Sequence, residues 1–260
     1  MQVTEIDIQP MNHSFRKAVL WSLAALAGLI GPAGQGLSAQ TVANGTKAPS
    51  TAFERFRYSF IEDPKSAQDA LDLAALRALD GAERAQAEDI LLNLLPDGRG
   101  IIGLGVLRSK RAAAALVSLL QIERQEEIQA DRDHLEYWSD RPVNIAKSLW
   151  YIEPTPQWLS IIINELATRP QWTTRMNAAE ALLDICDPHA TTALVQALDD
   201  KEALVRHHVA RALLATHGLS VETRDPKHML YRVMAKDEEE RQVAVKDILK
   251  VIDGRRLCAP

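Results

Sequence analysis

The chain has 260 residues, 47% hydrophobic and 25% charged, with a formal net charge of −5. That is an ordinary globular balance, with length enough for a sizeable core. The acidic excess excludes a protein that works by coating nucleic acid, which needs a basic face to release counterions. Aromatics are only 5%, Ala and Leu abound, and the alternating β-branched runs of strands are missing, so the fold expected is all-α.

The first forty residues stand apart. Arg16 and Lys17 precede thirteen uncharged residues, AVLWSLAALAGLI (18–30), then the breaker run GPAGQG and Leu37-Ser38-Ala39. This order matches a secretory signal cleaved before Gln40, with Met11 as an alternative start. The apolar core falls short of the roughly 20 residues that span a bilayer. Residues 1–39 are therefore expected to be a signal peptide, leaving a mature chain without a membrane span in the periplasm or outside the cell. If the segment is not a signal, the protein is cytoplasmic. Cys186 and Cys258 are expected to be free thiols, since two cysteines make no disulfide framework. No CxxC pair points to zinc or thioredoxin chemistry.

Residues 40–63 read as a linker ending in the aromatic cluster FERFRYSF. Beyond it, Asp63-Pro64, Thr155-Pro156, Asp187-Pro188 and Asp225-Pro226 repeat one helix-start signal: an N-cap acceptor followed by a residue that needs no amide. After Pro188, the residues Ala190, Ala193, Leu194, Ala197 and Leu198 form one apolar stripe. Ile161, Ile162 and Leu166 precede Ala193, Leu194 and Leu198 by 32 positions, and TRMNAAEALLDI (174–185) superimposes on VRHHVARALLAT (205–216) with an offset of 31. Arg175 thus matches Arg206. A helix pair recurring at this period is an α-solenoid signature. The glycines of GRGIIGLG (98–105) lack the strand and GK[ST] end of a phosphate loop, and read as a tight turn and close helix packing. The carboxylates of DEEER (237–241) oppose a helix dipole.

A turn acidic residue, Val-Arg, then alanines and leucines on a second helix, as in DDKEALVRHHVARALLATHG (199–218), resembles a HEAT repeat of the short bacterial PBS-lyase HEAT-like form. The copy around 174–187 and GLGVLRSKRAAAALVSLL (103–120) carry the same resemblance. It implies an α-α superhelix of about five to six helix pairs over residues 64–253, with 254–260 as a tail. It also implies a binding scaffold more than an enzyme. Arg169 stands where the next copy has Asp200, so an Asp–Arg ladder between repeats is expected to break there. No His-Glu dipeptide occurs, which argues against the di-iron hydroxylase branch of these proteins.

His207 and His208 invite a metal reading, but helix neighbours point about 100° apart, and ligand pairs need a spacing of three or four. With Val205, Val209, Ala212 and Leu213 buried, the two histidines and Arg211 fall on a solvated face, where with Arg206 they are candidate partner contacts. The second set comes from an irregular step. Leu116 to Ile162 is 46 residues where the next equivalent step is 32, placing an insertion in 121–140. Such insertions usually form loops on one face, often the binding face. This one holds His134, Tyr137 and Trp138 and leads to Trp150 and Tyr151, residue types that anchor interfaces. The expected function is a non-catalytic scaffold for another protein, without cofactor, metal or nucleic acid: an exported immunity protein, inhibitor or assembly factor. The rival is an enzyme or chaperone-like lyase related to bilin lyases.

Overall fold

The computed structural model describes residues 51–62, 71–129 and 140–255, apart from 222, 224 and 226. Twelve α-helices and no strand lie among them. Helix α1 (Ala52–Arg57) runs into a π-helical turn (Tyr58–Glu62), and α2 (Leu73–Arg77) follows. Five pairs come next: α3 (Gly81–Asn93) with α4 (Gly98–Val106), α5 (Ala113–Gln129) with α6 (Arg141–Ile152), α7 (Pro156–Thr168) with α8 (Trp172–Ile185), α9 (Thr191–Ala197) with α10 (Ala203–Thr216), and α11 (Met229–Arg232) with α12 (Glu238–Ile252). Each second helix packs on its own first helix and on the next second helix, from α4 through α12. A core built from neighbour-to-neighbour contacts is that of an all-α solenoid.

Side-chain size explains the stacking. Leu116, Ile162 and Leu194 plug the core from successive first helices, and Ala178, Ala179, Ala181, Ala210 and Ala212 let second helices approach one another. At Gly105, α4 comes close to α6. A Cβ on Gly105 would lie 2.5 Å from Ser148 Oγ and 2.7 Å from Ser148 Cα. Ser148 Oγ instead donates to the Ile101 carbonyl at 2.9 Å. Gly100, Gly103 and Gly105 therefore serve close packing inside a helix, not a tight turn, whereas a Cβ on Gly98 would meet nothing within 4 Å.

Other boundaries differ from expectation. Residues 51–62 are helical, begin with a capping box between Thr51 and Glu54, and bury Phe56 and Phe60 completely, so the expected linker does not extend over them. An aromatic cluster of this size is better buried than solvated. The stretch 103–120 is not one second helix; it passes from the end of α4 through a turn into α5. The same turn recurs after α8. Arg108 and Cys186 both adopt a left-handed conformation, φ 50° and 54°, and Ser109 and Asp187 then cap short 3-10 helices with their side chains. Asp187 thus caps as expected, whereas Asp225 does not cap α11, whose N-cap is His228. In the insertion, residues 121–129 prolong α5 as helix instead of forming a loop. Cys186 is disulfide-bonded, which overturns the expectation of a free thiol there; Cys258 lies outside the described residues. Among the described residues no helix is long and apolar enough to cross a membrane.

Candidate functional site

Arg206 was a candidate contact, yet it is only 4% exposed. Its Nη1 donates to the carbonyls of Asp200 and Lys201 at 2.7 and 3.1 Å, its Nε to Val233 O at 2.8 Å and its Nη2 to Ala235 O at 3.4 Å. Arg175, one repeat earlier, is placed alike. Its Nη1 meets the Arg169 and Pro170 carbonyls, both at 2.8 Å, while Nε and Nη2 fork onto the Asp200 carboxylate at 2.6 and 2.9 Å. Each arginine ties the turn entering its own helix to a turn of the next pair. Burial raises the pKa of Asp200, but the Arg175 hydrogen bonds, the Glu202 amide and nearby cations outweigh it and hold the carboxyl below its ordinary range. Arg206 is a buried strut, not a contact residue. The expected break at Arg169 is bridged differently: buried Arg169 pairs with Glu165 and reaches back to Glu127 on α5.

The histidines also do more than face water. His207 is half-buried, with Nδ1 2.8 Å from the Leu230 carbonyl and its ring stacked on Tyr231 at 5.9 Å. Burial pushes its pKa down, against the Leu230 hydrogen bond and with help from the charges of His208 and Arg211. His208 pairs with Glu180 of α8, whose carboxylate also accepts from Arg211 Nη1 at 2.8 Å. Burial raises the Glu180 pKa, but His208 and Arg211 prevail and hold it below the usual range. Glu180 and Arg211 are 31 residues apart, the same position on successive second helices. The expected solvated face is therefore a seam between repeats. It stays within reach of solvent, since the side chains of His208, Arg211 and Glu180 are 21%, 30% and 32% exposed. The two histidine rings meet edge-on at 87°, and among the described residues no group of three or more His, Cys, Asp or Glu could hold a metal.

Further along the same face, Lys147 of α6 pairs with Asp184 of α8 and lies 6.0 Å from the Tyr151 ring centroid. Burial, reinforced by the Asp184 charge, raises the Tyr151 hydroxyl to about 12, while Arg77 and Arg108 pull the other way. Tyr151 borders a groove of about 410 Å³ floored by Leu71, Leu73, Ile102 and Val106. Trp150 is partly buried and packs against the core, so the two neighbours divide into a core residue and a groove residue. His134, Tyr137 and Trp138 lie outside the described residues. The groove escaped the sequence reading because one wall, α2, is five residues long and too short to show a period.

Residues 142–246, from the first turn of α6 into α12, match the family model for HEAT repeats. These residues are HEAT repeats. No curated protein and no solved structure matches the chain. HEAT repeats generally present stacked helix faces on which other proteins are held. Within the matched segment the second helices supply the seam of ion pairs and one wall of the groove beside it.

Proposed function

We propose that this chain is a non-catalytic scaffold that holds another protein against its second-helix face, and that it works outside the cytoplasm as an inhibitor, immunity or assembly factor. The observation that carries the reading is the face itself. From Tyr151 and Lys147 through Asp184 and Glu180 to His208 and Arg211, side chains of three successive second helices form a row that is partly exposed yet held by cross-repeat pairs. Such a row is already ordered, so a partner loses less side-chain entropy on docking. Work outside the cytoplasm is supported by the signal-like pattern of residues 16–39 and by the disulfide at Cys186, since disulfides persist in oxidising compartments.

Affinity capture from the native host, followed by cross-linking and mass spectrometry, tests the reading. A retained protein should cross-link to Lys147 or to positions engineered beside Arg211, and Arg211→Glu should weaken its retention. Cross-links confined to first helices would refute the second-helix face, and no protein held above the control would refute the scaffold. Export has its own test: the mature protein should begin near Gln40, and finding residues 11–39 still attached would sink it. A visible absorption spectrum of the purified protein separates the scaffold, expected to show no band, from a tetrapyrrole lyase.

A further inference from the structure

The groove bordered by Tyr151 combines two chemistries. Its floor is aliphatic, with Leu71 and Leu73 at the start of α2 and Ile102 and Val106 on α4. Its charged lining is Arg77 of α2 and the Lys147–Asp184 pair; Arg108, at the end of α4, is not part of the lining, but its charge is felt at the Tyr151 hydroxyl. Lys147 is neutralised by Asp184. Arg77 and Arg108 are both exposed and form no ion pair among the described residues. One unpaired positive charge, Arg77, thus lines an apolar groove, and a second, Arg108, lies near enough to act on Tyr151, in a chain whose net charge is −5. Exposed arginines with no partner present the planar fork that binds carboxylates in a bidentate manner.

We propose that this groove is a docking site for a segment of a partner protein that carries Asp or Glu beside an aliphatic or aromatic anchor, the anchor entering the groove and the carboxylates meeting Arg77, with Arg108 as a second positive charge nearby. The assignment rests on the scaffold reading and specifies the chemistry of what is held. Asn144 and Tyr151 at the rim supply an amide and a hydroxyl for the backbone of such a segment. The phenol is a hydrogen-bond donor throughout the neutral range, as any tyrosine hydroxyl at or above its ordinary pKa of about 10 is.

The test is selection from a displayed library of random heptapeptides on the full chain, with Arg77→Glu/Arg108→Asn as the counter-target. Both positions are exposed, and Asn tolerates the left-handed backbone at 108, so circular dichroism of the double variant should match that of the parent. Enriched peptides should combine Asp or Glu with Leu, Ile or Phe, and should bind the double variant at least tenfold more weakly. Versions of the same peptides with Lys in place of each acid should lose binding by a similar factor. Val106→Glu, which places charge on the floor, should weaken them too. Enrichment of basic peptides, or no enrichment at all, overturns the proposal. Binding of phosphatidylglycerol vesicles that competes with the peptides for the groove also overturns it, replacing the partner segment by a lipid surface. Acidic peptides that bind the parent and the double variant equally overturn the groove alone and leave the scaffold function standing.

Discussion

Arg206 and Arg211 lie five residues apart on one helix, carry the same guanidinium, and have opposite fates. Arg206 is enclosed, its donors spent on four backbone carbonyls. Arg211 reaches across the open side of the stack to a carboxylate and keeps part of its surface in water. The row to which Arg206 belongs, with Arg175 and Asp200, fixes the turns of successive pairs. The row to which Arg211 belongs, with Glu180, His208, Lys147 and Asp184, fastens second helices together and remains accessible. Residue type does not separate structural from available charge here; the side of the helix does.

The sharpest way to test that division is Arg175→Ala. It would leave the Asp200 carboxylate, 11% exposed, without its partner. Breaking a buried pair on one side costs about 3–5 kcal/mol, which for a domain of this size lowers Tm by roughly 10 °C. A thermal melt that barely moves would show the strut to be dispensable. Arg206→Lys should cost about 2–3 kcal/mol, because one ammonium cannot satisfy carbonyls that the guanidinium reaches in several directions. Denaturant unfolding measures it, and a cost near zero would erase the distinction between the two rows.

Changes on the accessible row should be smaller and dependent on pH. His207 has a depressed pKa in the folded state, so its contribution is complete above its ordinary value of 6.5 and fades as pH falls through the depressed value. Glu180 is also depressed, so its contribution is complete above its ordinary 4.5 and is lost below that. Both signs agree, and stability should decline on acidification in two stages. His207→Gln should flatten the upper stage and Glu180→Gln the lower, each for about 1 kcal/mol or less at neutral pH. Melting curves from pH 8 to pH 3 check this, and a profile unchanged in both variants would contradict it. The smallest effect is expected for Arg211→Ala: about 0.5 kcal/mol of stability, read by the same melts, with its larger consequence in partner retention.

Much of the fold was legible in the sequence because its signals are local. The apolar stripe ending at Leu198 and the alignment of Arg175 with Arg206 need only helical period and repeat spacing. The role of Arg206 was not legible. Its acceptors at Val233 and Ala235 lie 27 and 29 residues away, in a turn that no helical wheel includes, so an arginine beside histidines read as surface. His207 was misplaced for the same reason: the next repeat, through Leu230 and Tyr231, covers a face that is open on the isolated helix. Tyr151 was flagged as an anchor, but its neighbour Trp150 was grouped with it although the two point about 100° apart, one into the core and one toward the groove. The aromatic cluster ending in Phe60 was read as linker because its partners, α2 and α4, are not adjacent to it in sequence.

The joint made by Arg206 differs from the one made by Arg175 in what a genome must preserve. Asp200 can be lost through one codon change, and the fork of Arg175 then loses its acceptor. The carbonyls of Val233 and Ala235 exist whichever residues are encoded there. The last joint is thus buffered against sequence drift so long as the turn keeps its path, whereas the joint before it rests on one side chain. Descendants of this chain can lose every acid from their final turn and keep the arginine, and a search for paired Asp and Arg would then count one repeat too few.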